Sequence, residues 1–295
     1  LRLAAKKELD RREKEESVSA QPEKENVSAD TEKKPGEETP SVSEKGKASV
    51  KDKIEELSDK YRDLMTEAMN DDFSDTEKTN EYANKQREYA RYIKRVKEFE
   101  GVDKEEHLKK AQELLGLKSE KETKDFFGDG EIIGIIVEDE FVSTLMEDGY
   151  CKRRFGNGVV EMLEFILNPD IDKGQGKGSD IFYNQIKSFK EKGYEDVITE
   201  AAKSEIYNGY YTWARLGYDF SRGSDETEFL NLINSSSDKD IRGVGSLQEL
   251  MTFDKGRKFW KDNGFAFSGT MSLLDGSKSM FILNKYMEEK KNARK

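Results

Sequence analysis

Residues 157–202 carry three pieces that decide the fold: NGVVEMLEFIL (157–167), DKGQGKGSDIF (172–182), which opens the longer run GSDIFYNQIKSFKEKGY (178–194), and EDVITEAA (195–202). The first and last are β-rich. The middle one places Phe182, Ile186 and Phe189 on one helical face, with Gly193 after the last turn. Strand, glycine turn, helix and strand make a βαβ unit, so the two strands are expected to be parallel neighbours joined by a right-handed crossover. The fold class expected is α/β.

Upstream, EIIGIIVE (131–138) reads as a further strand, and downstream TFDKGRKFWKDNG (252–264) and SKSMFILNKYMEEK (277–290) read as helices. Between 51 and 117 the pattern is helical. Ile54, Leu57, Tyr61 and Leu64 recur at three- and four-residue steps, with Met65 and Met69 extending the stripe. SDTE offers a capping box, Ser74 with Glu77, to a second helix carrying Tyr82, Tyr89, Tyr92 and Phe99. DKEEHLKKAQELLGL (103–117) is a third, stopped near Gly116. His107 is the sole histidine, set among charges without other metal donors, and is expected to have no ligand role.

Residues 1–60 contain no aromatic, and three of the four prolines, Pro22, Pro35 and Pro40, fall there. That end lacks the apolar surface to fold, so 1–50 is expected to be a disordered charged tether, 51–120 a helical stalk or hairpin, and 125–290 the α/β domain. The chain opens on LRLAAKKELD without Met and is expected to be part of a longer protein. Its formal net charge of −11 argues against nucleic-acid binding, because phosphate neutralisation needs a basic surface. No apolar run reaches membrane-spanning length. The single cysteine, Cys151, excludes an internal disulfide and a cysteine-rich zinc cluster and fits a reducing compartment.

Three glycines at alternate positions, Gly174, Gly176 and Gly178, let the backbone turn tightly and leave N–H groups uncovered at a helix start. Such a turn cradles an anion, and it can equally be an ordinary βα loop. A Walker A loop would need Gly at Ile171 and Ser or Thr at Gly178, and a dinucleotide fingerprint fails at Ser179.

Taken with NGYYTWARLGYDF (208–220), the turn is more specific. Lys173-x-x-Gly176-x-Gly178 resembles the pyrophosphate-binding signature of the GNAT acetyltransferase superfamily, with Lys173 where Arg or Gln is usual. The following helix, ending on Leu216, Gly217 and Tyr218, is similar to that superfamily's next helix. YYTWARLGYDF further resembles a pattern in GNAT-like domains of bacteriophage head-morphogenesis and minor capsid proteins. The likeness covers roughly residues 130–220. It implies a GNAT-like mixed sheet with a βαβ core, acetyl-CoA or another acyl-CoA as cofactor, and Lys173, Gly174, Gly176, Lys177 and Gly178 as its phosphate grip.

The chemistry the resemblance implies is attack of an amine on a thioester, with oxyanion donors on the backbone of MLEFIL (162–167). Glu161 or Glu164 is the candidate base. Strict alternation would place them on opposite faces, and either can equally be a solvated edge carboxylate. The tyrosine acid of the superfamily falls on Trp213, whose indole is no proton donor at neutral pH; Tyr210, one turn earlier, is the substitute. Two functions are expected in competition. One is an acyl-CoA-dependent N-acyltransferase with an unidentified amine acceptor, cytoplasmic. The other is a non-catalytic module of a phage or mobile-element structural protein, virion-associated, with phage structural proteins as partners.

Overall fold

The computed structural model describes residues 49–70, 76–127, 131–171, 176–204 and 207–293. The charged tether lies outside them apart from Ser49 and Val50, and Ser74 of the expected capping box lies outside them as well.

The chain forms an α/β structure around one mixed sheet. Helices α1 (Val50–Asn70), α2 (Thr76–Lys97), α3 (Lys104–Leu115) and α4 (Glu120–Phe127) precede four antiparallel strands, β1 (Ile132–Glu138), β2 (Phe141–Met146), β3 (Gly149–Gly156) and β4 (Val159–Leu167). Helix α5 (Lys177–Glu191) then crosses to β5 (Asp196–Ala201). After it come α6 (Gly209–Arg215), β6 (Asp219–Phe220), α7 (Gly223–Asn234), α8 (Lys239–Arg242), α9 (Leu247–Leu250), α10 (Asp254–Asn263), β7 (Phe267–Ser272) and α11 (Lys278–Ala293). The strand order is β1-β2-β3-β4-β5-β7-β6, and β4–β5 is the parallel pair, as the βαβ reading expects.

The hairpins follow from their turns. Asn157 (φ 49°) and Gly158 (φ 77°) join β3 to β4 in the left-handed conformation that suits the strands' twist, and Asp139 (φ 53°) helps join β1 to β2. Strand β1 is a continuous apolar run because both faces of the sheet are covered. On one face lie α3, α4, α5 and the C-terminal helices, around Phe126, Phe155, Phe182, Phe189 and Trp260. On the other, Leu57 and Leu64 of α1, Tyr89, Tyr92 and Val96 of α2, and Phe99 pack on Ile133, Leu145 and Tyr150. The helical segment therefore shares a core with the sheet, and the boundary expected near residue 120 does not separate two cores.

His107 has a structural role that its sequence setting did not suggest. From α3 its Nδ1 accepts a hydrogen bond from the Val137 N–H at 3.0 Å, on the outer edge of β1.

Candidate functional site

Strands β4 and β5 part company halfway. Their parallel register runs from Val159↔Asp196 to Met162↔Thr199, where the Thr199 hydroxyl donates to the Met162 carbonyl at 3.0 Å. Beyond that rung β4 continues to Leu167 and β5 to Ala201 without pairing with each other. A β-bulge marks the same point: on the β3 side Arg153 pairs with Met162 and Lys152 with Glu164, so Leu163 is an extra residue. A bulge bends its strand and increases the local twist, which turns β4 away from β5. The two strands therefore part at their carboxyl ends, and the crevice between parting strands is a place where open α/β sheets commonly hold ligands.

The bulge also corrects an expectation about the two carboxylates. Glu161 pairs with Arg154 and Glu164 with Lys152, residues two apart on β3, so both glutamates lie on the same face, the one covered by α1 and α2. The extra residue shifts the alternation by one, which strict periodicity cannot anticipate. Glu161 Oε2 pairs with Arg154 Nη2 at 2.6 Å. Both oxygens of Glu164 are engaged, Oε1 by Arg91 Nη2 at 2.5 Å and Oε2 by Arg95 Nη2 at 2.7 Å. The Arg91 guanidinium also lies 4.3 Å from the centre of the Tyr207 ring, so α2 ties β4 to the segment after β5. Asp170, just past β4, is held in the same way. It accepts from Lys60 at 2.7 Å and from the Tyr89 hydroxyl.

On the opposite face rings pack against the parted end of β4. Trp213 meets Phe165 at 6.3 Å, Phe182 at 5.2 Å and Tyr218 at 5.3 Å between centroids, which makes the indole a packing element. Tyr210 points elsewhere: its hydroxyl donates to the Lys261 carbonyl at 2.7 Å, and Trp260 Nε1 donates to the Tyr210 carbonyl at 3.0 Å. Burial, with Asp262 nearby, holds its phenol above the ordinary tyrosine range. Gly217 (φ 101°) is required, since a Cβ there would stand 2.5 Å from the Ser279 carbonyl oxygen.

Lys173 and Gly174 lie outside the described residues, while Gly176, Lys177 and Gly178 lie inside them. Gly176 (φ 72°) takes the N-cap of α5 in the left-handed conformation without a side-chain cap, so the first-turn N–H groups of α5 receive no capping side chain. Lys177 Nζ pairs with Asp148 Oδ2 at 3.0 Å and is half exposed. Gly178 has a packing reason of its own, because a Cβ would sit 3.1 Å from Leu167 Cδ1 and 3.4 Å from Phe165 Cε1. Lys290 of α11 reaches the turn, donating to the Gly176 carbonyl, to Ser179 Oγ at 3.0 Å and to Asp180 Oδ1 at 2.5 Å. In the sequence Lys290 merely closes a run read as a helix, and Arg91 and Arg95 do not stand out. Nothing local in those segments signals contacts that cross 73 and 111 residues of chain.

Among the described residues, no cluster of three or more His, Cys, Asp or Glu side chains is arranged to hold a metal ion, and no helix is long and apolar enough to cross a membrane. No family model, curated protein or solved structure matches this chain.

Proposed function

We propose that the sheet and its C-terminal helices form a GNAT-type domain that binds acyl-CoA, with the pyrophosphate at the first turn of α5 and the acyl arm in the crevice between β4 and β5. One observation carries this reading: beyond Met162 and Thr199, β4 runs free of β5 to Phe165 and Leu167, which lie against Gly178 in the first turn of α5, a turn whose N-cap Gly176 has no side chain. A helix N-terminus offers an anion free N–H groups and the positive end of the dipole. The edge of β4 released from β5 supplies backbone donors at the place where a thioester carbonyl would lie. Lys177, Gly176 and the N–H groups of the first turn are the described part of the phosphate grip. Turnover would be N-acylation of an amine, with Glu161 as the base, since Glu164 has both oxygens in ion pairs.

A second reading, a GNAT-like binding module without turnover in a phage or mobile-element structural protein, draws support from two commitments of side chains. The Tyr210 hydroxyl is used by the Lys261 carbonyl, and α2 covers the carboxylate face through Arg91 and Arg95.

A thermal-shift titration with acetyl-CoA and desulfo-CoA tests the cofactor assignment. At a hundredfold excess over the dissociation constant, a bound ligand contributes about 2.7 kcal/mol, which is roughly 5–10 °C for a domain of this size. Both compounds are expected to stabilise, because the grip is on the pyrophosphate. Lys177→Glu, at a half-exposed position, is expected to keep the fold and weaken both about tenfold or more. An unresponsive wild type would exclude the cofactor reading. Binding without acetyl transfer to amines, peptides or aminoglycosides would favour the module.

A further inference from the structure

The helix-covered face on the α5 side contains a charge that nothing balances. Arg153 of β3 is fully buried, and none of its guanidinium nitrogens has a hydrogen-bond partner among the described residues. Its guanidinium carbon lies 5.7 Å from the centre of the Phe127 ring and 5.9 Å from that of Phe189. Ring faces attract a cation without neutralising it. Burial lowers the guanidinium's hold on its proton, yet arginine has so high an intrinsic affinity that it stays charged in proteins. The nearest candidate counter-charge is the Cys151 thiol, two residues along the same face. Burial pushes that thiol's ionisation up, so it stays neutral; it lies close enough to interact with Arg153 but supplies no charge to balance it.

The surrounding polar atoms lean the same way. The Tyr218 hydroxyl, which interacts electrostatically with Arg153, and the Thr144 hydroxyl, on the β2 residue paired with Cys151, are both buried without partners. Gln185 of α5 spends its amide N–H on the Phe127 carbonyl at 2.6 Å and keeps an unpartnered oxygen. Arg153 brings five N–H donors and a charge, while the acceptors of the cluster, the Gln185 amide oxygen, the thiol sulphur and the two hydroxyl oxygens, are all neutral, so its net charge stays positive. Leaving a buried charge unpaired is among the costliest things a core can do. Internal water would add acceptors but no charge.

We infer that this cluster is a site for a small monovalent anion, held by the Arg153 guanidinium with the Tyr218 and Thr144 hydroxyls as further donors. The enclosure by Phe127, Phe189 and Gln185 selects for size: a halide or a one-carbon carboxylate fits the chemistry, and a bulky polyhydroxy anion does not. Arg153 pairs with Met162, the last rung before β4 and β5 separate, so the site lies one strand in from the crevice. The inference is independent of any acyl-CoA chemistry.

Melting the full chain in sodium chloride, bromide, formate and gluconate at equal ionic strength tests it. Halide is expected to raise the melting temperature over gluconate by about 2 °C or more, saturably, as site binding does. Arg153→Met should remove that anion dependence. If that variant does not fold, Tyr218→Phe, which removes one donor and no charge, should shift the half-saturating halide concentration upward. Crystals soaked in bromide should carry an anomalous peak within hydrogen-bond reach of the Arg153 guanidinium. Stabilisation by formate alone would keep the site and assign it to a small carboxylate. Equal melting in all four salts with no bromide peak at Arg153, or an anion effect retained in Arg153→Met, would overturn the inference.

Discussion

The two faces of the sheet are covered by helices, but they are held in different ways. Under α5 the contacts are rings and aliphatic chains around the single buried guanidinium of Arg153, with Phe189 fully buried among Phe126, Phe155 and Tyr194. Under α1 and α2 an apolar centre is rimmed by ion pairs, Glu164 with Arg91 and Arg95, and Asp170 with Lys60. Dispersion and burial of apolar area are insensitive to salt and carboxylate ionisation, whereas partly exposed ion pairs are sensitive to both. The difference implies that the α1–α2 pair is the cover that conditions can loosen, and the α5 side the one that must persist for the sheet to exist.

The largest effect should come from the ring face. Phe189→Ala is expected to cost about 3–5 kcal/mol, read as a lower urea midpoint with little dependence on ionic strength when gluconate is the anion. A loss below about 1 kcal/mol would mean that α5 does not anchor the sheet. On the other face, Glu164→Gln leaves Arg91 without its carboxylate and Arg95 with Glu98 alone, and is expected to cost about 1–3 kcal/mol, shrinking as sodium chloride rises. If that cost were the same at low and high salt, the rim would not be electrostatic in origin.

Asp170 sets the acid limb of the same comparison. Burial works against its charge, but the bonds from Lys60 and Tyr89 outweigh it and hold the carboxyl below its ordinary value. A depressed folded-state value stabilises above the unfolded carboxylate range, at about pH 4, and that stability is lost as pH falls through the lower folded-state value. The stability gap between wild type and Asp170→Asn should therefore narrow between neutral pH and strong acid. A gap that stays constant across that range would show the carboxylate's charge to be idle. The smallest effect belongs to Tyr92, whose buried hydroxyl has no partner among the described residues. Tyr92→Phe removes an unsatisfied group, so equilibrium unfolding should find it neutral or stabilised by up to about 1 kcal/mol; a marked destabilisation would reveal a partner for that hydroxyl.

The βαβ unit was legible because each of its parts has a strong period: the apolar run 157–167, the face of Phe182, Ile186 and Phe189, and the short run before Ala201. Helices α10 and α11 were legible for the same reason. Strand β3 was not, since CKRRF puts three cations in five residues and reads as surface, whereas Lys152 and Arg154 face the α1–α2 side and Arg153 is swallowed by the core. Strand β7, FSGTMS, is small and polar, and its insertion between β5 and β6 depends on long-range pairing that no local pattern encodes. At the site, the glycine turn announced itself, but the faces of Glu161 and Glu164 turned on one bulged residue, Leu163. The direction of Tyr210 was set by α10, fifty-one residues downstream.

The imidazole of His107 stands where the sheet would otherwise end in an open donor, the Val137 N–H. Outer strands with free donors recruit other strands, and a neutral ring that accepts this bond blunts one point of attachment. The consequence concerns handling as much as folding: His107→Phe removes the acceptor, so concentrated solutions of that variant should self-associate through β1 before the core unfolds.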